Sequence, residues 1–214
     1  EIIERHELLL APNHISRNIN NYDFFLQACQ NERVVVNEGI IRCILEYFPE
    51  AASATDDDDG CTPLHYACGN KNVTLNIIKL LIDEAPNSLR TVNNCGRMPL
   101  HHLCSYKNVD EKIAMDILKL LLEKRPEAVR HVTNDGVLPI HLACVSRSPE
   151  FCRVLIEAYP GSERIANSFG MLPLHYACMF SNVAVVEYLY KLYPDAINHA
   201  SQMEDIRFIP QFMV

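Results

Sequence analysis

The sequence predicts an all-α fold, a solenoid of stacked helix-turn-helix units joined by hairpin loops. One nine-residue motif occurs four times, 36, 40 and 34 residues apart: GCTPLHYAC at Gly60, GRMPLHHLC at Gly96, GVLPIHLAC at Gly136 and GMLPLHYAC at Gly170. A proline stands ten residues before each of the last three motif glycines, at Pro86, Pro126 and Pro160. Between these landmarks, apolar residues recur at helical spacing. Such recurrence indicates that each unit buries its apolar face against its neighbours.

The first helix of each unit is predicted to begin at the proline of the motif. Proline suits the first helical position because the N–H that it lacks has no partner there. In the third copy, Ile140, Ala143 and Cys144 then follow at the spacing of one helical face. The motif therefore predicts a short helix with cysteine on its buried side.

The second helix of each unit is richer in aliphatic residues. The four segments are VTLNIIKLLIDEA from Val73, IAMDILKLLLEKR from Ile113, EFCRVLIEAY from Glu150 and VAVVEYLYKLY from Val183. The next landmark proline is predicted to end this helix, because the residue before a proline favours extended geometry. An irregular segment with a polar tip follows, and its Asn and Gly residues suit the left-handed conformations of a tight turn.

The landmarks predict a single repeat domain over residues 1–214. Its predicted parts are a half unit at 1–20, a degenerate unit at 21–59, clear units at 60–95, 96–135, 136–169 and 170–203, and an end piece at 204–214. The chain begins with Glu1 rather than Met, which favours a segment of a larger protein.

The motif G-x-T-P-L-H-x-A in a unit of thirty-odd residues resembles the ankyrin repeat, and GCTPLHYAC matches it best. The resemblance covers about residues 21–203. It implies a structural histidine in each motif and a non-catalytic module that binds partner proteins through a concave face of hairpin tips and first helices. Threonine occupies its motif position only at Thr62, so the Thr–His hydrogen bond of the family is expected once.

Carried over position by position, the resemblance also implies a set of partner-binding residues. They are Asp58, Asp59, Asn94, Arg97, Tyr106, Asn134, Asp135, Phe169, Met171, Met179 and Phe180. The set is acidic in the first clear unit and rich in Phe and Met in the last, which favours a partner contact there. The alternative is that the end piece, with IRFIPQFMV, folds back and covers the last unit.

Composition narrows the class of partner. The net charge is −8 and no Lys/Arg cluster is present, which disfavours nucleic acid and anionic membranes. No apolar run is long enough for a membrane span. The nine cysteines, mostly repeated at one helical position, suit buried reduced thiols in an intracellular protein of the cytoplasm or nucleus better than a disulfide framework.

The repeated His-x-x-Cys pairs could be a chemical site. The four pairs are His65/Cys68, His101/Cys104, His141/Cys144 and His175/Cys178. Residues at this spacing share a helical face, so a metal-binding or redox-sensing protein is the alternative function. We favour packing for the cysteines and backbone bridging for the histidines, because a catalytic or metal site is not needed in every unit.

The remaining motifs predict no chemistry. The acids Asp56–Asp59 lack the ligand spacing of a calcium loop and are interpreted as a solvated hairpin tip. His102, beside His101, is expected to be exposed. No phosphate-binding loop, dinucleotide fingerprint or nucleophile elbow is present, so we expect neither enzyme activity nor a cofactor.

Overall fold

The computed structural model describes residues 22–30 and 38–199. Within these ranges the chain forms ten α-helices and no strand. The helices are α1 Asp23–Gln30, α2 Glu38–Tyr47, α3 Pro63–Gly69, α4 Leu75–Glu84, α5 Pro99–Ser105, α6 Glu111–Lys124, α7 Pro139–Ser146, α8 Pro149–Ala158, α9 Pro173–Met179 and α10 Val183–Leu192. The prediction of an all-α stack of helix pairs is confirmed.

The five helix pairs stack side by side. Each odd-numbered helix, the first of its pair, contacts the first helix of the next pair, and the even-numbered helices pack behind them. The cysteine of each motif contributes to the hydrophobic core of the stack. Cys68, Cys104 and Cys144 are completely buried there, whereas Cys178, in the last described pair, is half-buried.

Short 3₁₀ turns follow the second helices. They span Pro49–Ser53, Pro86–Arg90, Pro126–Arg130, Ser162–Arg164 and Pro194–Asn198. Four of the five turns begin at a proline: the landmark residues Pro86 and Pro126, and Pro49 and Pro194 at the equivalent positions. Proline suits the start of such a turn because its φ is fixed and it has no N–H to satisfy. After Pro160 the turn is shorter, because Gly161 adopts the left-handed conformation with φ +87°.

Two predicted parts of the chain lie outside the described residues. These are the half unit at 1–20 and the end piece at 204–214. Whether the end piece covers the last helix pair therefore stays a prediction.

Candidate functional site

The hairpin tips between helix pairs are regular. In the tip at residues 93–97, the Asn93 N–H donates to the Arg97 carbonyl at 3.0 Å, and the Gly96 N–H donates to the Asn93 carbonyl at 2.8 Å. The Asn93 side chain also accepts from the N–H groups of Cys95 and Arg97. The motif glycine has φ between +69° and +74° in all four copies, a conformation that other residues rarely adopt.

The motif histidine links each helix pair to the next hairpin. In His65, Nδ1 accepts from the Thr62 N–H at 3.1 Å, and Nε2 lies 3.0 Å from the Arg97 carbonyl of the following tip. A backbone N–H can only donate, so Nδ1 carries no proton and Nε2–H must be the donor. Thr62 Oγ1 also lies 2.8 Å from Nδ1, which is the Thr–His contact expected at this position alone.

The same bridge recurs along the stack. His101 joins the Met98 N–H to the Val137 carbonyl, and His141 joins the Leu138 N–H to the Met171 carbonyl. Burial favours the neutral ring, lowering the pKa of His65 to about 4, of His101 to about 3 and of His141 to about 4.

Neighbouring tips are also tied directly to one another. The main-chain N–H groups of Asn94, Asn134 and Ser168 donate to carbonyls of the preceding tip at 2.8, 3.1 and 2.9 Å. The side-chain amides of Asn94 and Asn134 add a second bond each, to the carbonyls of Asp58 and Asn94 at 2.9 and 3.0 Å. The tips therefore form a continuous, ordered edge along the stack.

This geometry determines which predicted binding residues reach the surface. Most are exposed: Asp58, Asp59, Asn94, Tyr106, Asn134, Asp135, Phe169, Met179 and Phe180. Arg97 is half-buried. Met171 is only 4% exposed, so the prediction that its side chain is available to a partner is wrong. In three of the four motifs the residue after the glycine is buried, at Cys61, Val137 and Met171, whereas Arg97 at the same position is half-buried.

Tyr106 illustrates how an aromatic ring is presented at the end of a first helix. A Cβ atom added to Gly69 would lie 2.8 Å from the ring of Tyr106, so the ring rests directly on the backbone of the preceding unit. The ring centres of His102 and Tyr106 are 5.8 Å apart, and Tyr106 is still 43% exposed. The absence of a side chain at Gly69 therefore makes room for this surface residue.

The family of the chain is decided by its sequence as well as this architecture. A family model described as ankyrin repeats, in three copies, matches residues 6–115, 71–163 and 111–200. The chain belongs to the ankyrin-repeat family. Ankyrin repeats are generally protein–protein interaction modules, and the family is typically non-catalytic. Comparison with curated proteins finds no match.

The ankyrin histidines and cysteines are placed for packing rather than ligation. A bridging histidine uses both ring nitrogens for backbone groups, so neither is free for a metal ion. Burial raises the pKa of the Cys104 and Cys144 thiols far above the usual range, which opposes the thiolate that a metal or an oxidant needs. Nowhere in residues 22–30 and 38–199 do three or more His, Cys, Asp or Glu side chains gather as metal ligands would.

Two expectations for polar residues near the first tip are corrected. His102 is 6% exposed rather than exposed, because its ring packs 5.1 Å from that of His65 and its Nε2 lies 3.9 Å from the Cys61 sulfur. Asp56 is not a solvated acid either. Its carboxylate accepts from the N–H groups of Asp59 and Cys61 and from the Tyr66 hydroxyl. Partial burial raises the pKa of Asp56, but these hydrogen bonds outweigh it and lower the pKa.

Sequence reasoning missed Arg147, whose side chain is completely buried between the second and third clear repeats. Its guanidinium donates to the carbonyls of Leu103, Tyr106 and Val109 at 2.6, 2.7 and 3.2 Å. The Glu111 carboxylate lies 3.3 Å away and offsets the charge. Arg147 thereby fixes the end of α5 and the loop that carries Tyr106.

None of the helices among the described residues is long and apolar enough to cross a membrane.

Proposed function

We propose that the chain is a non-catalytic module that binds a partner protein through a tip surface. The tip surface comprises the exposed residues of the hairpin tips and of the carboxyl ends of the first helices. The observation that carries the proposal is the exposure of four large apolar side chains there. Tyr106 is 43%, Phe169 45%, Met179 44% and Phe180 56% exposed.

The chemistry of these side chains supports a binding role. Aromatic and Met side chains are enriched in interface cores, where a few buried residues carry most of the binding energy. The ordered backbone beneath them, held by tip-to-tip bonds and by Arg147, lowers the conformational entropy that binding would otherwise cost. The exposed apolar side chains of the tip surface are therefore already positioned to contact a partner.

The two ends of the tip surface differ in charge. Asp57, Asp58 and Asp59 are all exposed at its first clear tip, while Phe169, Met179 and Phe180 lie at the other end. We infer that the partner presents basic residues to the acidic end and an apolar patch to the aromatic end. Complementary charge of this kind mainly increases the association rate and makes it dependent on salt.

The experiment is affinity capture from the native cell, followed by titration calorimetry with the purified partner. Phe169→Ala and Phe180→Ala should each weaken binding at least tenfold and leave the melting temperature nearly unchanged. Tyr47→Ala is the matched control, because Tyr47 is a 65% exposed aromatic residue on a second helix. Equal weakening by all three variants would contradict the proposal. A lowered melting temperature in the two Phe variants without partner would instead support cover by the end piece.

We also propose that the protein works in a reducing, intracellular compartment. All nine cysteines are free thiols, and Cys43 and Cys95 are exposed. Exposed thiols form unwanted disulfides in oxidising compartments. Imaging of the tagged full-length protein tests this proposal, and secretion would overturn it.

A further inference from the structure

Arginines and tyrosines form a repeated contact on the side of the second helices. The Arg130 guanidinium lies 4.5 Å from the ring centre of Tyr159, and that of Arg164 lies 4.7 Å from the ring centre of Tyr193. Arg130 and Arg164 lie four residues after Pro126 and Pro160. Tyr159 and Tyr193 directly precede Pro160 and Pro194. Stacking of this kind is favourable because the ring face is negative.

The contact is absent between the first two clear repeats. Arg90 stands four residues after Pro86, but the residue before Pro126 is Arg125 rather than an aromatic residue. An open groove of about 360 Å³ lies here, and both arginines line it. In the later repeats an arginine stacks on a tyrosine ring. Here, Arg90 and Arg125 line the same groove instead.

The groove has an excess of positive charge. Arg90, Lys124 and Arg125 contribute three positive charges and Asp83 one negative charge, so the lining has a net charge of +2. The Nε of Arg125 is buried and makes no hydrogen bond. Its nearest acid is Glu127, outside the lining, whose carboxylate is 3.8 Å away on a side chain that is 67% exposed. This long ion pair leaves the positive charge of Arg125 largely uncompensated, which favours an anion in the groove.

We propose that this groove binds a phosphate monoester. The phosphate group would lie between the guanidinium groups of Arg90 and Arg125 and accept hydrogen bonds from their terminal N–H groups. A monoester carries a charge of about −1.5 to −2 near neutral pH, which matches the net charge of the lining. Arginine suits this role because its planar fork of donors fits phosphate oxygens.

The apolar part of the lining favours an ester over inorganic phosphate. Ile82, Pro86 and Leu89 contribute to the same groove and can pack against the carbon stem of the ligand. The ester is either the phosphorylated side chain of a protein or a free small molecule, and the chemistry of recognition is the same. No tip residue lines the groove, so this inference is independent of the tip surface.

The test is a titration followed by NMR of backbone amides and arginine Nε–H groups, at about 150 mM salt so that weak surface attraction is screened. The probes are phenyl phosphate, inorganic phosphate, and one short peptide with either phosphotyrosine or tyrosine. We expect the largest shifts at Arg90 and Arg125, with phenyl phosphate binding more tightly than inorganic phosphate. Tenfold tighter binding of the phosphopeptide than of phenyl phosphate would identify a protein source, and similar affinities a small-molecule source.

Variants give the decisive comparison. Arg125→Gln should weaken phenyl phosphate at least tenfold, whereas Lys79→Gln, which removes an exposed charge outside the groove, should change it less than twofold. Glu127→Gln should tighten binding about twofold to threefold, because it removes the competing carboxylate. Arg125→Tyr should abolish binding. It should also raise the melting temperature, because it restores the stacking seen at Tyr159, so a loss of binding by this variant would not be due to unfolding.

Three results would overturn the proposal. They are shifts scattered over all basic residues, equal weakening by Arg125→Gln and Lys79→Gln, and equal binding of the tyrosine and phosphotyrosine peptides.

Discussion

The side-chain amide of Asn134 donates a hydrogen bond to the main-chain carbonyl of Asn94 at 3.0 Å, joining the tips of two successive ankyrin repeats. Asn94 in turn donates to Asp58 at 2.9 Å. Both asparagines were predicted as partner contacts, and each side-chain amide already donates one hydrogen bond inside the protein. Their exposed neighbours, such as Asp135 and Phe169, are better placed to contact a partner.

Removing one of these links should loosen a tip. We expect Asn134→Ala to lower the free energy of unfolding by about 1 kcal/mol, the usual net contribution of one hydrogen bond. Amide hydrogen exchange should accelerate at residues 94–96 and 134–136. Asp135→Ala is the control, because only the main chain of Asp135 is used in the tip-to-tip bonds. Equal effects of the two variants would show that the amide contributes nothing.

The buried histidines should make stability depend on pH. His65, His101, His102 and His141 have pKa values lowered by burial to about 3 or 4, against about 6.5 in the unfolded chain. Between these values the unfolded chain binds more protons, so this stability is complete above about pH 6.5 and is lost as the pH falls. Between pH 6 and 5 the free energy of unfolding should fall by about 4 kcal/mol.

Urea unfolding at several pH values measures this loss. His141→Gln should reduce the number of protons bound on unfolding by about one, since glutamine cannot titrate. An unchanged urea midpoint between pH 7.5 and 5 would contradict the neutral, bridging histidines.

Arg147 should contribute more to the free energy of unfolding than an exposed arginine does. Arg147→Ala leaves the carbonyls of Leu103, Tyr106 and Val109 without their donor, so we expect a loss of about 2 to 4 kcal/mol in urea unfolding. Arg153→Ala is the matched control, because the ion pairs of Arg153 with Glu150 and Glu157 are exposed and should contribute little to stability. A smaller effect at position 147 than at 153 would refute this role.

The cysteines of the core should resist modification in the folded protein. Iodoacetamide should react first with the exposed Cys43 and Cys95, and with Cys104 and Cys144 only on unfolding. Cys144→Ser should destabilise by about 1 to 3 kcal/mol, because it places a hydroxyl in an apolar site, and Cys144→Ala should cost less. Cys95→Ser, at the surface, should leave the melting temperature unchanged.

Local patterns were sufficient for the helices and the core. Proline at the first helical position, the spacing of Ala and Cys in the motif, and the Asn and Gly residues of the tips all act within a few residues, so each predicts its own element. The landmark prolines were sufficient to end the second helices but not to show the 3₁₀ turns that begin there.

Local sequence patterns could not predict which side chains are buried by residues of a neighbouring repeat. His102 is covered partly by Cys61 and His65 of the preceding repeat, which its own motif does not show. Arg147 stands eleven residues after its motif glycine, where the first two clear repeats have exposed lysines, Lys71 and Lys107, and the last has Ser181. The burial of Met171 could have been found, because Cys61 and Val137 are apolar at the same position.

Because of the histidine bridges, the boundaries of the sequence repeat do not coincide with the boundaries of the structural unit. The hairpin that opens a sequence repeat is held by the histidine of the repeat before it, as the Arg97 carbonyl is by His65. A cut at a motif glycine would therefore separate each histidine from its acceptor. Recombination that exchanges or duplicates repeats should be tolerated best when its breakpoints fall after the tip and before the histidine of the following first helix, so that every histidine keeps the hairpin it holds.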